Sequence, residues 1–227
     1  MKKLIAMGLT VIMTAVAVCG CGSSDSGNDA KKSDNQTKQQ AVKVIDVDLT
    51  SEEYAFGVDK NKPELLTQVN DFIKEIKDNG TFDEICNKYF GGGNPTPVKS
   101  EKLDTSKDQL LVATNASFEP FEYMKGDSYY GIDMEIAAAL AKKLNKELVI
   151  QNMEFDSVCL SVGQHKSDIA MTGLTIKEDR KKYVNFTDPY YNAAQRLIVK
   201  GDSTEFDNCK DKAAIEKILK TKDKSVT

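Results

Sequence analysis

The chain has 227 residues, 40% of them apolar, and a formal net charge of -4. Its length and apolar content suit one domain or two small ones, and exclude a fibrous chain or one disordered throughout. Lysines are many, but acids are interleaved with them almost everywhere, so no phosphate-tracking surface and no nucleic-acid partner is expected.

In chain order, Lys2 and Lys3 form a basic start, Leu4 to Val18 an apolar run, and the chain turns polar after Cys21. Residues 1–20 therefore read as a targeting segment, too short to span a bilayer comfortably. The stretch Val18, Cys19, Gly20, Cys21 resembles a bacterial lipobox. That resemblance implies a lipoprotein signal peptide and a mature chain beginning at an acylated, palmitate-bearing Cys21. The acyl chains would hold it on the extracytoplasmic face of the bacterial cell membrane. A plain secretory peptide is the alternative. Residues 21–41 carry no aromatic and no apolar periodicity, and read as a disordered tether.

From Val42 to Val58 the pattern is strand-like, with VKVIDVDL alternating and YAFGV a short apolar run. Pro63 opens a predicted helix whose apolar residues recur at three and four residue steps until Asn79-Gly80, a left-handed stop. Thr81 is placed to cap a second helix carrying Phe82, Ile85, Cys86, Tyr89 and Phe90, which Gly91 ends. Residues 92–107 are turn formers and charges, a linker. Strands then alternate with helices: LLVATN (110–115), a helix over 133–144, ELVIQN (147–152), a short helix over 156–162, and DIAMTGLT (168–175) running into a turn. This rhythm predicts an α/β fold, three-layer with a mostly parallel sheet. In such sheets ligands sit at the carboxyl ends of the strands, here Asn115 to Phe121 and Thr172 to Arg180.

Of the cysteines after the anchor region, Cys86 and Cys159 read as small buried hydrophobes, and Cys209 leaves the count odd. The one histidine, His165, lies in the polar stretch GQHKSD and reads as a solvated loop residue. One histidine and no CxxC pair leave little for a metal centre or a Cys-His catalytic pair, and no metal or cofactor is expected.

The first strand-end loop, NASFEPFEY, offers the amide of Asn115, the hydroxyl of Ser117 and the ring of Phe118. In the second, TGLTIKEDR, Thr175 and Glu178 stand at capping-box spacing, which predicts a helix whose N-terminus seats an anion. Arg180 could reach back with a planar fork for a carboxylate. The residues alone leave a second reading open, a capped helix whose Arg180 pairs with Glu178 or Asp179 on the surface.

GIDMEIAAALAKKL (131–144), with NASFEPFEY before it and DIAMTGLTIKEDRKKYVNFTDPYY (168–191) after it, resembles the polar amino-acid binding proteins of ABC importers, extracellular solute-binding protein family 3. The resemblance implies a periplasmic-binding-protein-like lobe, one half of a two-lobed clamp that closes on a free L-amino acid and delivers it to a transporter permease. It gives Phe118 to stacking on the ligand, Gly173 and Thr175 to the α-carboxylate or the polar groups beside it, and Arg180 to that carboxylate. Many members carry aspartate where this chain has Asn115, which disfavours a cationic ligand side chain. EEYAFGVDKNKPELLTQVNDFIKEIKDNGTFDEICNKYFG (52–91) resembles the last segment of the same family. Lobe one is thus expected over 42–200, as a permuted C-terminal segment (42–91), the linker (92–107) and an N-terminal segment (108–200). Residues 201–227 would exit toward a second lobe that the chain lacks. A dehydratase-type enzyme of the same fold and a non-binding interaction lobe are the alternatives to an amino-acid binder. The first needs an acid-base group in a closed cleft, for which the sequence offers no histidine.

Overall fold

A computed structural model describes residues 41–222. The targeting segment, Cys21 and all but the last residue of the tether lie outside the described residues. The rest divides into two compact units, 51–193 and a smaller one made of 41–50 with 194–222.

Strand β1 (Val42–Val44) belongs to the smaller unit. The larger unit opens with β2 (Glu52–Tyr54) and β3 (Gly57–Asp59), the run YAFGV divided at Ala55 and Phe56. Pro63, whose absent N–H suits a first helical position, begins α1 (Pro63–Asp78), which buries Leu65, Val69, Phe72, Ile73 and Ile76. Gly80 is left-handed, as expected, and α2 (Thr81–Phe90) comes directly after it. Thr81 is not its cap: the Thr81 N–H is itself taken by the Asn79 side chain at 2.9 Å, two residues earlier.

Next come β4 (Gln109–Thr114) and a meander of β5 (Ser117–Phe118), β6 (Glu122–Lys125) and β7 (Ser128–Tyr130). Gly131 turns the chain out of the meander at φ +127°, where a Cβ would lie 2.1 Å from the Phe121 carbonyl oxygen, so only glycine fits. The chain continues through α3 (Ile132–Lys143), β8 (Glu147–Asn152), α4 (Phe155–Gly163), β9 (Ile169–Ala170), β10 (Val184–Phe186) and β11 (Tyr191–Ala193). The smaller unit resumes with β12 (Ile198–Lys200) and α5 (Lys212–Lys222).

The main sheet of the larger unit runs β10-β3-β9-β4-β8. Strand β4 is parallel to both β8 and β9, as crossover helices require, but β3 is antiparallel to β9 and β10. Since β9 and β10 are both antiparallel to β3, four of the five strands point one way: the sheet is mostly parallel, with β3 from the front segment as its one reversed strand. Helices α1, α2 and α3 share one core with Phe56, Val58, Leu110, Val112 and Ile150; Val158 and Val162 of α4 pack with Ala113, Ala170 and Val184 in another. Val112 and Ala113, adjacent in one strand, go to opposite cores, so helices cover both faces in three layers.

Helices α1 and α2 of the front segment pack onto residues that come after 120. Phe82 meets the Tyr190 ring edge-on at 6.4 Å and Ile85 joins the α3 core. The Tyr89 hydroxyl donates to Glu135 Oε1 at 2.8 Å and accepts the Gly131 N–H at 2.9 Å.

In the smaller unit β1 runs antiparallel to β12, and Ile45, Val47, Phe206 and Ile215 form a core. Residues 42–50 and 194–200, expected within lobe one, share that core with 201–222 because their apolar side chains meet Phe206 and α5. Cys86 and Cys159 are buried without a disulfide. His165 sits in an exposed turn at φ +60°, as expected of a solvated loop residue, and its Nδ1 is hydrogen-bonded to buried Asp59 at 2.8 Å.

Candidate functional site

The carboxyl ends of β4, β8 and β9 converge, and hydrogen bonds lock their loops together. The Asn115 N–H donates to Thr172 Oγ1 at 3.2 Å, its side-chain amide to the Met153 carbonyl at 2.8 Å, and the Ala116 N–H to Asn152 Oδ1 at 2.9 Å. The Ser117 hydroxyl closes on Asn115 Oδ1. Asn115 thus spends one end of its amide on Met153 after β8 and the other on Ser117 in its own loop, and its visible work is to hold the two loops together.

Phe118 stands out of that loop, 44% exposed, stacked on Phe121 at 5.6 Å with its edge toward Tyr54. Phe121 meets Tyr191 edge-on at 5.0 Å, and Tyr191 stacks on Phe90 at 6.1 Å. The exposed ring is therefore the tip of an aromatic column rooted in α2. Gly173 lies against it at φ +52°, where a Cβ would come within 3.1 Å of the Phe118 ring.

Thr175 is in extended backbone, bridged to Tyr54, and its hydroxyl donates to Glu52 Oε2 at 3.2 Å. Since that hydroxyl faces β2, the predicted capping box does not form; Glu178 is paired with Lys181 at 2.6 Å instead. In place of the predicted helix there is one 3-10 turn, Arg180–Lys182, capped by the Asp179 side chain. A turn that short presents no N-terminal anion seat, so positive charge at this place comes from Arg180. Its Nη1 donates to the Thr175 carbonyl at 2.8 Å and its Cζ sits 5.0 Å from the centre of the Phe155 ring. Arg180 pairs with neither Glu178 nor Asp179 through its guanidinium. The structure brings Phe118, Gly173, Thr175 and Arg180 to one edge of the sheet and sets Asn115 behind them.

Beneath the loops lie two buried carboxyls. Asp133 accepts the Tyr190 hydroxyl at 2.6 Å and the Gly173 N–H at 2.8 Å; Glu122 accepts the Thr172 hydroxyl at 2.7 Å. Burial is the main cause raising the pKa of both, and the charge of Asp133 adds to the rise at Glu122. With two donors on Asp133 and one on Glu122, Glu122 is the member that keeps its proton. Burial, and after it the charges of Glu52, Glu122 and Asp133, also raises the Tyr54 phenol.

Sequence reasoning missed Tyr54, Phe155 and Glu52. Tyr54 and Glu52 sit in a stretch read only as strand and as part of the family's last segment. Phe155 carried a usable signal: it comes just after the strand 147–152, whose carboxyl end belongs with the other two strand ends.

The family model for bacterial extracellular solute-binding proteins, family 3, matches residues 10–92 and 110–226. The chain belongs to that family. Among curated members, the arginine-binding extracellular protein ArtP of Bacillus subtilis is 39% identical over 100 residues, 44% of this chain and 39% of ArtP. A probable histidine-binding protein of Neisseria gonorrhoeae is 37% identical over 90 residues, 39% of this chain and 33% of that protein. Among solved structures, the arginine-bound form of domain 1 from TmArgBP is 31% identical, covering 52% of this chain and 93% of its own, with a TM-score of 0.37. The chain spans less than half the length of these curated relatives. It is an α/β solute-binding-protein lobe.

Proposed function

We propose that the chain binds a free L-amino acid at the edge formed by Phe118, Gly173, Thr175 and Arg180, as a binding protein rather than an enzyme. The observation that carries this is Arg180. Its guanidinium is steadied by the Thr175 carbonyl and the Phe155 face, and among the described residues four of its five N–H donors are left for a planar anion. The ring of Phe118 gives such a ligand an apolar wall. ArtP and the Neisseria protein are named for arginine and histidine, so cationic amino acids come first as candidates. Asn115, uncharged and committed to Met153 and Ser117, offers their side chains no counter-charge.

Calorimetry with L-arginine and a panel of the other amino acids tests the reading. Arg180→Ala should weaken binding by about 2 kcal/mol or more, since it removes a charged partner. Binding unchanged by that substitution would sink the proposal.

The same reading makes Cys21 the lipidated residue and an ABC-importer permease the partner. It is supported by the basic start, the apolar run and the lipobox-like Val18 to Cys21. It also takes the front helices to be the family's closing segment carried forward by permutation. Support comes from the two blocks of the family match, 10–92 and 110–226, and from the packing of Phe82, Ile85 and Tyr89 on the later segment.

A further inference from the structure

A carboxyl holds the Gly173 turn from beneath. Asp133, in the first turn of α3, is fully buried; its Oδ2 accepts the Gly173 N–H at 2.8 Å and its Oδ1 the Tyr190 hydroxyl at 2.6 Å. Gly173 lies against the Phe118 ring, so a ligand resting on that ring stands one backbone amide away from Asp133. The titratable groups that face this carboxyl are Glu122 of β6, Tyr54 of β2, Tyr190 before β11 and Cys86 of α2. None of them is a cation, and among the described residues no lysine, arginine or histidine is hydrogen-bonded to Asp133.

Burial among such groups opposes a charge on Asp133, while its two donors favour one. The balance is close: burial pushes the carboxyl up to about 7 against the pull of Tyr190 and Gly173. A group so balanced changes its protonation when charge arrives nearby, and buried surroundings screen that charge far less than water does.

We propose that Asp133 is a proton-linked positioning residue of the amino-acid site: as a carboxylate it grips the Gly173 turn, and it gives up its proton when a ligand of net positive charge settles on that turn. No bond to the ligand forms; the carboxyl O–H breaks, the electron pair stays on Asp133, and the proton passes to solvent. The inference rests on the amino-acid reading of the site and adds a pH dependence to it. Because binding releases a proton, affinity rises with pH. If the ligand makes ionisation tenfold easier, arginine releases roughly 0.4 proton near pH 7 and binds about fivefold more tightly at pH 8 than at pH 6.

Calorimetry on the full chain near pH 7, in phosphate and in Tris, counts the released protons, since the two buffers differ in heat of ionisation. L-citrulline, close to arginine in shape but without net charge, should release less than about a quarter as much, and its affinity should change less than about twofold between pH 6 and pH 8. Tyr190→Phe takes one donor from the carboxylate, so the pH of greatest release should move up by about half a pH unit or more. The comparison of the two ligands on the wild-type chain stands even where that variant fails to fold. The same arginine heat in both buffers, equal release by the two ligands, or an unmoved profile in a folded Tyr190→Phe would overturn the role of Asp133 and leave the amino-acid reading standing. So would a chain that binds other amino acids but not arginine. If the wild-type chain binds no amino acid of the panel, both fall together.

Discussion

Replacing Glu122 by glutamine should flatten the pH dependence of stability. Glu122 is 1% exposed, holds one hydrogen bond from Thr172, and its Oε2 has no partner among the described residues. Burial, and after it the charge of Asp133, raises its pKa far above the carboxylate range. The fold therefore prefers its neutral form. The stability that this preference contributes is complete below the unfolded-state pKa of about 4.3 and is lost as pH rises toward the folded value. Within that window the chain loses up to about 1.4 kcal/mol per pH unit from this group, or up to about 2.7 kcal/mol between pH 6 and pH 8. Glutamine is neutral throughout and keeps an oxygen for the Thr172 hydroxyl. Asp133, whose pKa burial also raises, leaves a residual slope of the same sign in the variant. Urea unfolding monitored by circular dichroism at pH 6, 7 and 8 gives the two slopes. Other titrating groups are common to both proteins, so the difference isolates position 122. Parallel curves would refute the claim that Glu122 is buried as a neutral acid.

Tyr89→Phe should cost about 2 kcal/mol in the same unfolding assay, since it removes a hydrogen bond to a charged partner and leaves the Gly131 N–H unpaired. An unchanged midpoint would count against the packing of α2 on α3, and with it the permuted arrangement. Radiolabelled palmitate should enter the wild-type chain expressed in a lipoprotein-processing bacterium and not Cys21→Ser. Equal labelling, or none in either, would remove the anchor from the reading.

Much of this lobe was readable because its signals are local. The apolar spacing from Leu65 to Ile76 and the alternation of strands with helices over 110–175 each need one element at a time. What failed was what depends on a distant partner. Thr175 and Glu178 have capping-box spacing, yet Thr175 is claimed by Tyr54 and Glu52, more than a hundred residues earlier, and an extended bridge wins over a helix start. That β3 would be the one reversed strand was not legible for the same reason, its neighbours β9 and β10 being distant in sequence. His165 is the solvated loop residue expected, but nothing near it in sequence shows that Asp59 waits beside its ring.

These long-range partners come mainly from one place. Glu52, Tyr54 and Asp59 lie in the two strands of the front segment, and Phe90, the root of the aromatic column under Phe118, ends its second helix. The residues that resemble the family's ligand loops lie after residue 110, but several of the groups that set their geometry, Tyr54 and Glu52 among them, lie before residue 91. Removing the front segment would strip Thr175 of its strand partner, Glu52 of its place, and Phe118 of the column that keeps its ring upright. The order of the two segments along the chain matters little to the site, because strand pairing and core packing see only which surfaces meet. On the proposed reading, both segments contribute to the site.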